Sequence, residues 1–171
     1  MWAELPEAAA EPVAQLAILW HSRTGASRAL ASAAAKGAGA AAQLIEAALA
    51  SPDDLLAADG YLFVAPENLG TLSGTMKELL DRCYYPLLGQ IEGRPYATII
   101  AAGNDGAGAQ AQLDRIVTGW RLRRVAEPMI VLLAAQTPEA IWAEKQVTAQ
   151  VLTQAHDLGA ALAMGLNQGI F

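Results

Sequence analysis

The chain is poor in the residues that build disulfides and metal centres. Its 171 residues include one cysteine, Cys83, and two histidines, His21 and His156. A single cysteine cannot close an internal disulfide, and so few nitrogen and sulfur ligands argue against a zinc site built by this chain. Cys83 lies in a helical pattern with no histidine near it in sequence, so we interpret it as a small buried hydrophobe rather than a nucleophile.

Positive charge is scarce as well. Lysine and arginine total 11 against 17 acidic residues, the formal net charge is −6, and the longest basic run is "RLRR" at 121–124. A nucleic-acid partner is therefore not expected. No apolar run is long enough to span a bilayer, and the segment "MWAELPEAAAEPVAQ" lacks the pattern of a signal peptide. We expect a cytoplasmic protein with no membrane insertion, in which a flexible lead-in (1–12) precedes one domain (13–171).

What the sequence does contain is a regular alternation of apolar runs and helical patterns. The apolar runs predict five strands, at 13–20, 41–48, 61–65, 96–102 and 129–134. A helical pattern follows each strand, and the last helix is expected to begin at Thr137 and Pro138 and to run on as one long element. Strands that are apolar throughout are typical of a parallel sheet covered on both faces. The sequence therefore predicts an α/β fold with a doubly wound, five-stranded parallel sheet.

Three loops after predicted strands are rich in glycine and hydroxyl side chains. They read "HSRTGAS", "PENLGTLSG" and "GNDGAGAQ" and follow the first, third and fourth strands. Because the carboxyl ends of parallel strands share one edge, these loops should meet at a single site. In the first loop, Ser22, Thr24 and Ser27 surround Gly25 at a helix N-terminus, which favours a phosphate group. The alternative is that one hydroxyl simply caps the helix.

Several nucleotide motifs are absent, and simpler structural roles stand beside the functional ones. The chain has no G-x-x-x-x-G-K-[ST] loop, no G-x-G-x-x-G after the first strand, and no aspartate at the end of the third strand as a receiver domain requires. Glu67 and Asn68 can shape a turn, and the glycine-rich third loop can be a flexible connection. We interpret the tryptophans at 20, 120 and 142 as core residues.

Two segments resemble a known family. "SRTGAS" looks like the [ST]-x-[ST]-G-x-[ST] phosphate loop of flavodoxins. "APENLGTLSGTMKELLDR" is similar to the second flavin loop and the following helix of flavodoxin-like NAD(P)H-dependent FMN and quinone reductases, with Lys77, Asp81 and Arg82 at the matching spacing. This resemblance implies a flavodoxin-like strand order of 2-1-3-4-5 and a bound FMN.

The resemblance also implies which residues hold the cofactor. Its phosphate would be bound by Ser22, Arg23, Thr24, Gly25, Ala26 and Ser27. Its ring would be lined by Pro66, Glu67, Asn68, Leu69, Gly70 and Thr71. Backbone N–H groups from a third set would face the pyrimidine edge, namely Gly103, Asn104, Asp105 and Gly106. No catalytic side chain and no metal are expected, because a flavin carries the redox chemistry itself.

Three function classes share this resemblance. The second and third loops contain no Phe, Tyr or Trp. Such loops would leave one face of the flavin open to a nicotinamide or a quinone. We therefore favour an enzyme that passes a hydride from NAD(P)H through flavin N5 to a quinone or another small acceptor. The resemblance also implies a homodimer or homotetramer, since both are common among such reductases. The alternatives are a flavodoxin-type one-electron carrier and a flavodoxin-like binding module without catalysis.

Overall fold

A sheet with helices on both faces forms the centre of the computed structural model, which describes residues 13–171. The strands are β1 (Leu16–Trp20), β2 (Ala42–Glu46), β3 (Gly60–Asn68), β4 (Thr71–Leu72), β5 (Pro95–Ala102), β6 (Arg123–Arg124) and β7 (Met129–Leu132). The helices are α1 (Ala26–Ala38), α2 (Pro52–Ala57), α3 (Gly74–Leu87), α4 (Ala107–Gly119), α5 (Pro138–Trp142) and α6 (Ala149–Asn167), and a 3₁₀ turn at Gly39–Ala41 precedes β2.

The pairing of the long strands confirms the predicted topology. β1 lies between β2 and β3, β3 pairs with β5, and β5 pairs with β7, and all of these pairs are parallel. These five strands reproduce the expected order 2-1-3-4-5. The register places Ile18 beside Leu44 of the edge strand β2 and beside the buried Leu62 of β3.

The predicted count of five strands is wrong, because two short strands are added. Leu69 and Gly70 both have positive φ, at 52° and 71°, which turns the chain back on itself as a tight hairpin. β3 therefore continues through Glu67 and Asn68, and β4 pairs with it in the antiparallel sense. β6 pairs with the start of β5 and β7 with its end, so two short segments share the outer position of the sheet.

The two faces of the sheet bury separate apolar clusters, as a doubly wound fold requires. α1 and α6 cover one face and pack unusually close together at two glycines. A Cβ atom at Gly159 would lie 2.0 Å from the carbonyl oxygen of Ala34, and one at Gly37 would lie 1.9 Å from that of His156. Since only glycine permits this backbone contact, the two helices fix the position of the α1 N-terminus at the edge of the sheet.

The prediction of one long C-terminal helix is wrong. Thr137 does cap a helix that begins at Pro138, but α5 ends after five residues at Trp142. The backbone N–H of Lys145 donates to the carbonyl oxygen of Thr24 at 2.8 Å, which ties the chain to the loop after β1. A second cap, Thr148, then starts α6. The break therefore comes from a tertiary contact that helix propensity does not encode.

Within residues 13–171 no helix combines the length and the apolar character needed to cross a membrane. The predicted N-terminal lead-in lies outside the residues that the structure describes.

Candidate functional site

A cavity of about 610 Å³ opens at the carboxyl ends of β1, β3, β5 and β7. All three predicted loops contribute to it. The predicted residues that line it are Ser22, Arg23, Thr24, Ala26, Ser27, Pro66, Glu67, Asn68, Leu69, Gly103, Asn104 and Asp105. The predicted residues that are not part of its lining are Gly25, Gly70, Thr71 and Gly106. The topology therefore brings together most of the residues that the resemblance indicated.

The loop after β1 presents an open helix N-terminus to the cavity. Gly25 is the N-cap of α1 with φ +95°, a conformation that favours glycine, and as a glycine it has no side chain to cap the first turn. The Ser22 hydroxyl instead accepts a hydrogen bond from the Gly25 N–H at 3.1 Å and so shapes the loop. No side chain of the described residues accepts from the N–H groups of Ala26, Ser27 and Arg28, so these first-turn groups are available to a ligand. The alternative that a hydroxyl of this loop caps α1 is met only in part, because Ser22 binds the N-cap amide and not the amides of the first turn.

Ser27 points to the same conclusion. The residue is buried, and within the described chain its Oγ atom has no hydrogen-bond partner. A buried hydroxyl without a partner costs about 1–3 kcal/mol. An anion bound at the helix N-terminus would accept a hydrogen bond from this hydroxyl, which is consistent with a phosphate site in this loop.

His21 connects the first two loops. Its Nδ1 atom lies 2.9 Å from Oγ of Ser73, the fully buried residue that precedes α3. Burial lowers the pKa of His21, the charge of Arg23 lowers it further, and Glu46 opposes both effects. The imidazole is therefore neutral near pH 7, and its role is to join the loops rather than to add charge.

Glu67 connects the second and third loops. Its Oε1 atom accepts from the Gly106 N–H at 2.9 Å, and its Oε2 atom accepts from the Ala109 N–H at 3.1 Å. The carboxylate thereby caps α4 from a neighbouring strand, although sequence analysis gave Glu67 a ring-lining or turn role. The Gly106 N–H, expected to face the pyrimidine edge of a flavin, is already bound by Glu67 in this structure.

A fourth loop, which sequence analysis overlooked, forms one wall of the cavity. It follows β7 and contributes Leu133, Ala135, Ile141, Trp142 and Lys145. Trp142 is 78% exposed, so its interpretation as a core residue is wrong, whereas Trp120 is buried as expected. The sequence does contain a pattern that indicates this loop. Like the other three, it follows a predicted strand, and the Thr-Pro pair at its C-terminal end marks the start of a helix.

Other charged and reactive side chains near these loops have structural roles. Arg82 binds the Glu78 carboxylate and the carbonyl oxygens of Ala47 and Ala50, so it holds α3 against the loop before α2. Cys83 is buried, and burial raises the pKa of its thiol, as expected for a residue that is not a nucleophile. Among residues 13–171 no group of three or more His, Cys, Asp or Glu side chains could hold a metal ion.

The sheet order and a cavity at its carboxyl edge define a flavodoxin-like α/β protein. Solved structures share this fold. A flavodoxin from the domain Archaea superposes with a TM-score of 0.73 at 16% identity, covering 89% of this chain and 98% of that one. A flavodoxin-like, WrbA-like protein from Agrobacterium tumefaciens gives 0.68 at 18% identity, covering 91% and 98%. The flavodiiron core Flv1 from Synechocystis sp. PCC6803 gives 0.73 at 18% identity, covering 92% and 37%.

Sequence comparison identifies the family. The model of the NADPH-dependent FMN reductase family matches residues 46–137, and the chain belongs to this family. A flavodoxin of Aquifex aeolicus (strain VF5) is 30% identical over 105 residues, which are 59% of this chain and 57% of that protein. The chain thus matches little more than half the length of that relative. The family match begins at the end of β2, so it omits the loop after β1.

Proposed function

We propose that the protein binds FMN in the cavity and works as an NAD(P)H-dependent oxidoreductase. The observation that carries the proposal is the first turn of α1, where the N–H groups after Gly25 have no side-chain acceptor among the described residues and the buried Ser27 hydroxyl has no partner. Membership in the NADPH-dependent FMN reductase family supports the cofactor and an oxidoreductase role. When bound, FMN would supply the redox chemistry by accepting a hydride at N5 and passing it on.

The residues of the cavity fit the parts of FMN. Ser22, Thr24 and Ser27 stand at the helix N-terminus where the phosphate would be held. The small side chains of Ala101, Ala102 and Gly103 leave space at the ends of the strands, and Pro66 and Leu69 supply apolar surface for a flat ring. A volume of about 610 Å³ is within the usual range for a cofactor site.

The open cavity favours a reductase whose second substrate stacks beside the ring. The β3–β4 hairpin presents Leu69, which is fully exposed at its tip, where an aromatic side chain would cover a ring. A small acceptor such as a quinone, and the nicotinamide that precedes it, could therefore reach the same face in turn. NADPH is suggested as donor by the family description alone.

A one-electron carrier is the second candidate, and one specific observation favours it. Trp142 lines the cavity from the fourth loop and could cover part of a flavin ring. The curated relative from Aquifex aeolicus is described as a flavodoxin, which also supports this class. A carrier exchanges electrons with a partner protein and does not use NADPH as its electron donor.

Steady-state oxidation of NADPH and NADH by the FMN-loaded protein tests the proposal. We expect NAD(P)H oxidation that accelerates when a soluble quinone is added. The control is the same protein from which FMN has been removed, which should be inactive and regain activity when FMN is restored. Tight FMN binding without nicotinamide oxidation would overturn the reductase and favour the carrier, and no FMN binding would overturn both.

A further inference from the structure

Glu67 ends β3 and reaches the first turn of α4, so one carboxylate joins two of the cavity loops. Both of its oxygens are used, at 2.9 Å from the Gly106 nitrogen and 3.1 Å from the Ala109 nitrogen. Gly106 is the N-cap of α4 and adopts φ +83°, and as a glycine it has no side chain to cap the helix. From the same segment Asp105 reaches the first turn, where its Oδ1 atom accepts from the Ala107 N–H at 3.4 Å. Glu67 therefore supplies from β3 the acceptors for the Gly106 and Ala109 N–H groups, for which the segment of α4 itself supplies none among the described residues.

Two further contacts dock the β3–β4 hairpin onto α4. A Cβ atom at Gly108 would lie 2.0 Å from the carbonyl oxygen of Gly70, so the helix backbone touches the hairpin turn directly. The Leu72 N–H donates to Oε1 of Gln112 at 2.7 Å. Together with the Glu67 carboxylate, these contacts make the second and third loops one unit at the side of the cavity.

The position of this carboxylate also has an electrostatic consequence. A helix N-terminus carries about half a positive charge. That of α4 begins at Gly106, directly after the cavity-lining residues Gly103, Asn104 and Asp105. The full negative charge of half-buried Glu67 is bound directly to this N-terminus and exceeds the half charge that it offsets, so the pair carries a net negative charge. Solvent screens this charge less than that of Asp105, which also lines the cavity but is exposed.

From these observations we propose that Glu67 is a positioning residue that fixes the two ring-lining loops and lowers the reduction potential of the bound flavin. The effect on the reduction potential rests on the proposed function, because it requires a bound flavin. The joining of the two loops by Glu67 does not depend on it. Reduction adds electrons and tends to leave negative charge on the flavin. A carboxylate that cancels the α4 helix dipole therefore disfavours the reduced form.

Three variants separate the role of Glu67 in joining the two loops from the effect of its negative charge on the flavin. Glu67→Gln keeps the side-chain length and one acceptor oxygen but removes the charge. Glu67→Asp keeps the charge but is too short to span both amides. Asp105→Asn is the matched control, because it removes an exposed negative charge from the same cavity, where Asp105 contacts only the Ala107 N–H at 3.4 Å.

Hydrogen exchange and redox titration provide the readouts. In the FMN-free protein, the Gly106 and Ala109 amides should exchange faster in Glu67→Asp and Glu67→Gln than in the wild type. In the loaded protein, Glu67→Gln should favour reduced over oxidised FMN by about tenfold, which is a shift of about 30 mV to less negative potential for a two-electron couple. Asp105→Asn should shift the potential less, and Glu67→Asp should stay closer to the wild type.

Each failure has a distinct meaning. An unchanged potential in Glu67→Gln, or an equal shift in Asp105→Asn, would overturn the electrostatic role of Glu67. Unchanged exchange of the two amides in both Glu67 variants would overturn the role of Glu67 in joining the loops. This measurement needs no flavin. Absence of FMN binding by the wild type would instead overturn the proposed function.

Discussion

At the scale of single residues, the buried hydroxyl of Ser27 is the observation that most directly supports the proposed phosphate site. Its hydroxyl lies in the first turn of α1, is buried, and finds no acceptor or donor among residues 13–171. A buried hydroxyl that serves only the fold would be paired, because an unpaired one destabilises the folded state. The side chain therefore has a cost in the free protein that a bound phosphate would remove.

We predict that Ser27→Ala separates stability from binding. The melting temperature of the FMN-free protein should stay the same or rise, because no protein hydrogen bond is lost. FMN affinity should fall by about tenfold or more, since a hydrogen bond to a charged group contributes roughly 1.5–3 kcal/mol. Flavin fluorescence titration and thermal melting measure the two effects. Ser32→Ala on the same helix is the control and should leave FMN affinity unchanged.

His21 gives a pH dependence whose sign follows from its environment. Burial, and next Arg23, lower its pKa from the ordinary value of 6.5, so the folded protein favours the neutral imidazole. The contribution to stability is therefore complete above about pH 6.5 and is lost as the pH falls through the lowered pKa. Protonation would also place a second positive charge beside Arg23.

We predict that His21→Asn flattens the acid limb of the stability curve. Between pH 8 and pH 5 the melting temperature of the wild type should fall more steeply than that of the variant, because the variant has no imidazole to protonate. Thermal melting across this range in the absence of ligand is the measurement. The exposed His156, changed to Asn, should follow the wild type. Parallel curves for wild type and His21→Asn would contradict the prediction.

At the scale of elements, α5 is a short helix held in place by one lysine. Lys145 Nζ donates to the carbonyl oxygens of Ala140, Ile141 and Ala143 at 2.6, 3.0 and 2.6 Å, so its charge satisfies the C-terminal end of the helix. Its backbone N–H reaches the loop after β1. This arrangement holds Trp142 at the cavity although the indole is largely exposed to solvent.

We predict that Trp142 forms an aromatic contact with the bound ligand. Trp142→Ala should weaken FMN binding by roughly 2–10-fold, because an aromatic pair contributes about 0.5–1.5 kcal/mol beyond the area it buries. Quenching of tryptophan fluorescence by FMN should also decrease. Trp142→Phe should retain most of the affinity, and the buried Trp120, changed to Phe, is the control. Unaltered affinity in Trp142→Ala would remove the indole from the site.

At the scale of the whole molecule, a net charge of −6 opposes an anionic ligand. The local field of the α1 N-terminus and Arg23 must therefore outweigh the general repulsion, which makes recognition depend on the phosphate group. Contacts with the flavin ring should contribute less to the binding free energy than contacts with the phosphate.

We predict that FMN stabilises the chain more than riboflavin, which lacks the phosphate. At a concentration 100 times its Kd, a ligand adds about 2.7 kcal/mol to the free energy of unfolding. For a chain of this length FMN should then raise the melting temperature by about 5–10 °C. Riboflavin at the same concentration should raise it markedly less. Equal shifts would mean that the loop after β1 does not hold the phosphate.

The order of the main elements follows directly from the sequence. The five apolar runs became the five long parallel strands, and the Thr-Pro signal at Thr137 became the capped start of α5. These features depend on local chemistry. A continuous run of apolar residues indicates a buried strand, and an N-cap binds an amide only a few residues further along the chain. The meeting of the three glycine-rich loops followed from sheet topology alone.

Other features were decided only by the tertiary structure. The loop after β3 became a hairpin because Leu69 and Gly70 adopt positive φ and the turn docks on Gly108. Glu67 became a cap for α4, and Trp142 reached the cavity through a contact between Lys145 and Thr24. Each of these depends on partners about 40 to 120 residues away, so no local pattern could indicate them. The sequence by itself determined the sheet and the edge that carries the site, and long-range packing determined which side chains complete that site.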